Sequence, residues 1–404
     1  MDNFVCQGYL RPDDSKGIRN RLLVLYTVDC ASFVAQRVAE HFRSLGEQVD
    51  LVGARICYDN QTMIDRLLAF TAHPNVGAVL VVGMGCEFTQ AKRIYAFALD
   101  TGRPAAYFLV QEQGGTRKGI RYGIAAAARL IDEMRSNEER VDFYLSDLTV
   151  GLECGGSDFT SGLTANTVLG NLADRIVSAG GTAVFEEPGE MLGLRDCLVG
   201  RAATPAAAQE IGALYEKILA YGKASGMYHI SPGNFQGGLS TIEEKSIGSV
   251  AKSGTAPIQG VLKIAQRPPH PGLWILDRLQ DWNMSFGATV AADAGALMEL
   301  ATLGCQVCFL STGRGHVIGT PVAPTIKLTG NQETYARMED DLDFDASGLL
   351  GGEKSKTGLT QELYLYLQKI CAGAPVKAEI LGHCEYEMLP TFQRACGKAA
   401  SCTR

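Results

Sequence analysis

One pattern recurs along the chain and constrains it more than any other. A short run of β-branched and apolar residues ends in small or polar residues, and a stretch with helical spacing follows. RLLVLYTVDC (residues 21–30) leads into ASFVAQRVAEHFRSL, VGAVLVVGMGCE (76–87) into FTQAKRIYAFALDTG, and PAAYFLVQEQGG into TRKGIRYGIAAAARLIDEMRSN. The unit returns as the strand-like FYLSDLTVGL, the loop in GLECGGSDFTSG (151–162), the helical TANTVLGNLADRIVSAG and the strand GTAVFEEP. Farther on, QVCFLSTGRGHVIG runs from a strand into a glycine-rich loop, and VAPTIKLTGN predicts another short strand. A helix in each repeat has to cover a sheet face, so this alternation predicts an α/β fold of several β–loop–α units forming mostly parallel sheets. The polar SNEERVD stretch marks the expected break between two packed α/β domains, 1–148 and 149–404, with the site at their interface.

Composition narrows the function. Hydrophobic residues are 46% and charged residues 20%, as in an ordinary soluble globular protein. With a formal net charge of -7 and no long basic run, nucleic acid is not the expected partner. No apolar stretch reaches the length of a membrane span, and the N-terminus lacks a basic segment followed by an apolar one. The expected location is therefore cytoplasmic. Twelve cysteines scattered over 404 residues are no disulfide framework; in a reducing compartment they read as small buried hydrophobes, metal ligands or reactive thiols.

Several constellations carry chemistry. Cys30, Cys86 and Cys154 each end a strand-like run, where functional groups gather in parallel sheets. If those ends converge, soft thiolates suit iron, zinc or an iron–sulfur cluster; otherwise they are isolated thiols. The single CxxC, Cys305 to Cys308, falls in a β-rich run that points its thiols to opposite sides, which predicts a buried strand. In ECGGSDFTSG, Asp158, Thr160 or Ser161 can cap the following helix, or Ser157 and Asp158 can meet a ligand. Glu153 beside the thiol is an unexplained acid. TIEEKSIG offers Glu243, Glu244 and Lys245 either as an acid–base group or as a solvated turn. Arg314, on the glycine loop STGRG, matches a carboxylate bidentately or simply holds a turn. Among the histidines, His41 and His73 read as surface residues, whereas His316 and His383 sit near glycines and are better site candidates.

Taken in order, GYLRPDDSKGIRNRLLVLYTVDC, VVGMGCE, ECGGSDFTSGLTANTVLGNLADRIVSAGGTAVFEE, GLSTIEEKSIGSVAKSGTAP and STGRGHVIGTPVAPTIKL resemble the altronate/galactarate dehydratase family over nearly the whole chain. The resemblance implies a metal-dependent hydro-lyase. Such an enzyme removes the C2 proton and C3 hydroxyl of a sugar acid, and the enol becomes a 2-keto-3-deoxy acid. It implies iron, as Fe2+ or an iron–sulfur cluster, with Mn2+ as an alternative, and puts Cys30, Cys86 and Cys154 at the metal. Glu243, Glu244 or Lys245 would then move the proton. Arg314 and Lys327 would hold the substrate carboxylate, and Ser157, Asp158, Ser161, Asn166 and Thr312 would make the remaining substrate contacts.

The chain also departs from that family. It begins at the large-domain motif GYLRPDD, which implies a split-gene large subunit working with a separate small SAF-domain subunit, and a homo-oligomer is expected. GARICYDN keeps Cys57 but lacks the family's histidine, and DRLQDWNMSFG replaces an aspartate-rich, proline-containing motif. Two alternatives follow: a sulfolactate sulfo-lyase large subunit, which eliminates sulfite, and a non-catalytic sugar-acid-binding paralogue.

Overall fold

The computed structural model describes residues 4–58, 60–186, 188–225, 230–279 and 292–390. The expected α/β architecture is present, with two parallel sheets and a small antiparallel one. The chain opens with β1 (Val5–Leu10) and β2 (Lys16–Gly17), which pair with each other and, through β1, with the later β7 (Arg140–Tyr144). Next comes a four-stranded parallel sheet of β3 (Arg21–Tyr26), β4 (Val49–Gly53), β5 (Val76–Gly83) and β6 (Ala105–Leu109), in the order β4-β3-β5-β6. Its central strands are almost continuous apolar runs, because helices cover both faces. On one face, α1 (Asp29–Arg43) and α4 (Thr116–Ser136) pack over Leu22, Val24, Leu80 and Val82. On the other lie α2 (Gln61–Thr71) and α3 (Ala91–Asp100).

The larger sheet contains β8 (Thr149–Cys154), β9 (Thr182–Phe185), β10 (Ile258–Lys263), β11 (Gly272–Asp277), β12 (Val307–Thr312), β13 (Thr325–Thr329) and β14 (Phe344–Asp345). All its pairings are parallel, in the order β10-β11-β9-β8-β12-β13-β14. From β8 the chain steps to β9 and on to β10 and β11. It then crosses back to place β12 on the other side of β8. Strand order therefore reverses at β8, and the loops after β8 and β12 flank the crevice where open α/β sheets bind ligands.

One face of this sheet is covered by α5 (Ala165–Ser178), α6 (Arg195–Gly200), α7 (Pro205–Ser225) and, farther along the chain, α12 (Lys356–Cys371). Short α8 (Pro232–Gln236) and α9 (Ile242–Val250) precede β10, and α11 (Gln332–Arg337) follows β13. Against the other face lies α10 (Asp293–Thr302), inside an apolar cluster that also takes in α2, α3 and residues of both parallel sheets. The buried Arg66–Glu299 ion pair, at 2.5 Å, crosses this junction from α2 to α10. Near the C-terminus, α13 (Lys377–Leu381) returns to the first sheet, where Glu379 binds Arg19 and Arg21. No described helix is long and apolar enough to cross a membrane.

Two sequence expectations change. His73 is fully buried; its Nε2 faces the Cys305 carbonyl at 3.1 Å, and burial pushes its pKa down to about 3. Cys305 lies before β12, so strand alternation does not apply to it, and both CxxC thiols sink into the same apolar cluster. Burial raises both.

Removing one partner of a buried ion pair leaves an uncompensated charge. Glu299→Ala is expected to lower the unfolding free energy by about 3 kcal/mol in denaturant titration, and the double change to Met at 66 and 299 by less.

Candidate active site

At the reversal point the two glycine loops bind each other. Gly155 donates its N–H to the Ser311 carbonyl, and the Gly156 carbonyl accepts from the N–H groups of Gly313 and Arg314. A Cβ at Gly155 would lie 1.9 Å from Asp293 Oδ2, so only glycine admits the Asp293–His316 pair, whose Nε2–Oδ2 distance is 3.0 Å. Loop 155–163 also touches α9 closely, because Gly162 meets Gly248 backbone to backbone. Between that loop, the start of α5 and α9 lies a pocket of about 240 Å³. Its polar lining includes Ser157, Ser161, Asn166, Lys245 and Ser249. Exposed Phe159, Leu163 and Ile247 form its apolar part.

The fold thus gathers Ser157, Asp158, Ser161, Asn166, Glu244 and Lys245, which lie far apart in sequence, around one pocket. Their roles differ. Asp158 is saturated: Oδ1 accepts from the N–H and hydroxyl of both Thr160 and Ser161, and Oδ2 from Asn331. Asp158 and Ser161 therefore hold the turn leading into α5. Asn166 donates to the Gly248 carbonyl at 2.8 Å and accepts from Ser311. Glu243 is exposed on the first turn of α9. Exposed Glu244 turns back to accept from the Ser240 N–H and hydroxyl, which lowers its pKa, while Thr241 caps the Glu244 N–H. Only Lys245 points inward, to an ion pair with buried Glu190.

Thr312, Arg314 and Lys327 do not line the pocket. Thr312 Oγ1 accepts from the Gly315 N–H at 3.0 Å. Arg314 is exposed and donates to the Gly233 carbonyl and Gln236. Lys327 is fully buried, spends its ammonium on the carbonyls of Val317 and Ile318, and has its pKa lowered by burial. These side chains shape loop 313–319. Outside the pocket, His383 Nδ1 meets Glu385 at 2.6 Å.

The thiols separate. Cys30 and Cys86, together with Cys57, stand exposed after β3, β5 and β4 of the first sheet. Cys154 is buried at the end of β8, where the Lys252 ammonium lies 3.2 Å from its sulfur. A cation against the thiol is poor company for a metal. Among the described residues, no group of three or more His, Cys, Asp or Glu side chains is placed to hold one. The described donor set therefore does not fit the expected iron centre. The altered stretch DRLQDWNMSFG lies outside the described residues beyond Leu279.

Several groups escaped the sequence reading. Strand alternation sends Glu153 and Cys154 to opposite faces of β8. Leu152 pairs with Phe185, so the next residues, Glu153 and Glu186, follow in step on neighbouring strands. Arg278 Nη1 donates to Glu186 at 2.6 Å. Burial, then the Glu186 charge, raises Glu153 well above the carboxylate range. Ser249, in the pocket lining, and Lys252, buried beyond it, follow Lys245 at spacings of four and three residues. That spacing is legible in TIEEKSIGSVAKSG once the helix start is known. Glu190 left no local signal.

A buried ion pair beside a pocket at the strand-order reversal of a parallel sheet marks an α/β protein with a candidate ligand site. Known proteins then give the family. Residues 145–393 match the model for D-galactarate/altronate dehydratase, C-terminal, and residues 8–135 that for D-galactarate dehydratase/altronate hydrolase, second domain. The chain is 31% identical over 392 residues to altronate dehydratase of Bacillus subtilis (strain 168), covering 94% of this chain and 76% of that protein. It is 32% identical over 364 residues to altronate dehydratase of Escherichia coli (strain K12), covering 86% and 70%. It is also 31% identical over 395 residues to (2R)-sulfolactate sulfo-lyase subunit beta of Chromohalobacter salexigens, covering 96% and 98%. The chain belongs to the D-galactarate/altronate dehydratase family and is by that membership an enzyme of the hydro-lyase type.

The folded state holds a proton on Glu153 that the unfolded chain releases above its ordinary value of 4.5. Stability contributed by that proton is therefore lost as pH rises from about 4.5 toward the raised value. Glu153→Gln is expected to flatten the fall in Tm between pH 5 and 8. A wild-type slope retained in the variant counts against the assignment.

Proposed function

We propose that the chain dehydrates a hexonate or hexarate, such as altronate or galactarate, to a 2-keto-3-deoxy acid in the pocket between loop 155–163 and α9. The observation that carries the proposal is the Lys245–Glu190 pair at the pocket wall, in a chain of this family. β-Elimination needs a base for the C2 proton and an acid for the departing hydroxyl. Burial raises Glu190 to about 7, against the pull of Lys245. Glu190 is thus poised to exchange a proton near neutral pH. Ionised Glu190 takes a proton from Lys245 as the Lys245 nitrogen takes the C2 proton; the ammonium then protonates the departing hydroxyl, and Glu190 returns its proton to the amine. Ser157 and Asn166 orient the substrate hydroxyls, and the first turn of α5 presents the positive end of its dipole to the substrate carboxylate. No part of this scheme passes through a metal. A separate small subunit is the proposed partner, supported by a relative that is itself a subunit beta.

The near end-to-end match to the sulfo-lyase subunit favours a second reading, elimination of sulfite from a sulfolactate. Proton removal beside the carboxylate is common to both, and only the leaving group differs. A screen of hexonates, hexarates and sulfolactate, with the small subunit and iron supplied, separates them by 2-keto acid with or without sulfite. No product from any substrate overturns both. Lys245→Met is expected to lower kcat by about 10³-fold. Glu190→Gln is expected to remove the limb near pH 7 from the kcat profile.

A further inference from the structure

A second cavity, of about 370 Å³, lies at the amino ends of β3 and β4. Residues 46–50, several residues between 373 and 384, and Thr320 wall it in together with Arg19, Arg21 and Arg43. The three carboxylates of the wall are already engaged. Glu379 accepts from Arg19 and Arg21, and also from the Val376 N–H. Asp50 lies 3.2 Å from Arg21 Nη1 and accepts the Val322 N–H. Glu47 turns both oxygens to Arg135, which is not part of the wall. One cation is left over. Arg43, exposed at the end of α1, donates from Nε to the Val49 carbonyl and from Nη2 to the Cys384 sulfur, at 3.9 Å. Burial, then the Asp50 charge, pushes the Cys384 thiol up to about 12, so the sulfur brings Arg43 no counter-charge. Among the described residues, no carboxylate pairs with Arg43.

Two wall residues also carry donors with nothing to donate to. Thr320 is 7% exposed, and its Oγ1 has no hydrogen-bond partner among the described residues. Arg21 Nε, buried as well, has none either. Buried polar groups are nearly always paired, so two orphans on one cavity wall call for a partner from outside the chain. An Nε–H can only donate, and a threonine hydroxyl can do so. A guanidinium without a counter-charge and two unpaired donors are satisfied by the same thing, an anion with several acceptor oxygens. We propose that this cavity is a second ligand site, separate from the pocket at α9, and that it takes a small oxyanion, a carboxylate or a phosphate, against Arg43, Thr320 and Arg21. The site does not depend on the proposed elimination. Its wall reaches the root of loop 313–319: Gly319, next to Thr320, donates to Glu385, which also meets His383 of the wall. An anion on Thr320 sits against the segment that anchors that loop.

The test is calorimetric titration of the full chain, at neutral pH and constant ionic strength, with inorganic phosphate and with pyruvate, and with chloride as the reference. At least one probe is expected to bind once per chain with a Kd of about 1 mM or tighter, and the tighter of the two separates a phosphate from a carboxylate ligand. Arg43→Met is expected to weaken that binding by about tenfold or more, and Thr320→Val by about threefold to tenfold. Thr320→Val also removes the unpaired hydroxyl. Without ligand its Tm is therefore expected to equal or exceed that of wild type, while the rise in Tm on adding the probe shrinks. Lys245→Met, altered in the other pocket, is expected to bind the probe as wild type does. If Arg43→Met does not fold, Thr320→Val decides alone. A Kd weaker than about 10 mM for both probes overturns the inference, and so does equal affinity in wild type and the cavity variants. Binding lost in Lys245→Met but kept in Arg43→Met overturns it too, because the probe then sits in the pocket at α9.

Discussion

The register of β8 is the constraint on which the site depends. β8 sits between β9 and β12, with Leu152 opposite Phe185 and Glu153 opposite Leu310. Parallel pairing fixes which side chains face each way, and a slip of one residue would exchange them. In the observed register, Glu153 joins Glu186 and Arg278 on the α10 side, where Gly151 already abuts Leu300. Cys154 turns to the α9 side and meets Ser249 and Lys252. One dipeptide thereby supplies two polar networks on opposite faces of the same strand end. The glycines that follow let the chain turn over the sheet edge and admit Asp293 and His316.

Both networks bury charge, which is costly unless it is paired and hydrogen-bonded. Arg278 answers Glu186, Lys245 answers Glu190, and Glu153 holds its proton. Each of Glu153, Glu186 and Glu190 keeps one buried oxygen without a hydrogen bond among the described residues. Packing for stability alone would place apolar groups there. Such cost, concentrated at the reversal point of the strand order, is what a site that moves protons near neutral pH requires.

Family relatives differ in what leaves the substrate. Altronate and galactarate dehydratases and a sulfo-lyase subunit share this chain's alignment. The proposed Lys245–Glu190 acid–base pair suits either leaving group, because the C2 proton must be taken in both cases.

Much of the fold was legible from local pattern. Alternating β and helical runs predicted parallel sheets, and the ECGGSD and STGRG loops predicted strand ends. TIEEKS named Lys245 only as one of three candidates, in a stretch that read equally as a solvated turn. Such choices were not legible, since their physics is non-local. Glu243, Glu244 and Lys245 are consecutive, yet only the helix phase sends Lys245 inward and leaves both carboxylates at the solvent-facing first turn. Lys327 looked like a carboxylate receptor until the tertiary fold set two loop carbonyls against it. Cys30, Cys86 and Cys154 share a sequence context but end strands of two different sheets. By itself the sequence determined the elements and the chemical alphabet of the site, through periodicity and turn residues. The tertiary structure alone decided which groups meet, because β8 register and α9 packing bring Glu190, Ser249, Lys252 and Cys154 together from distant parts of the chain.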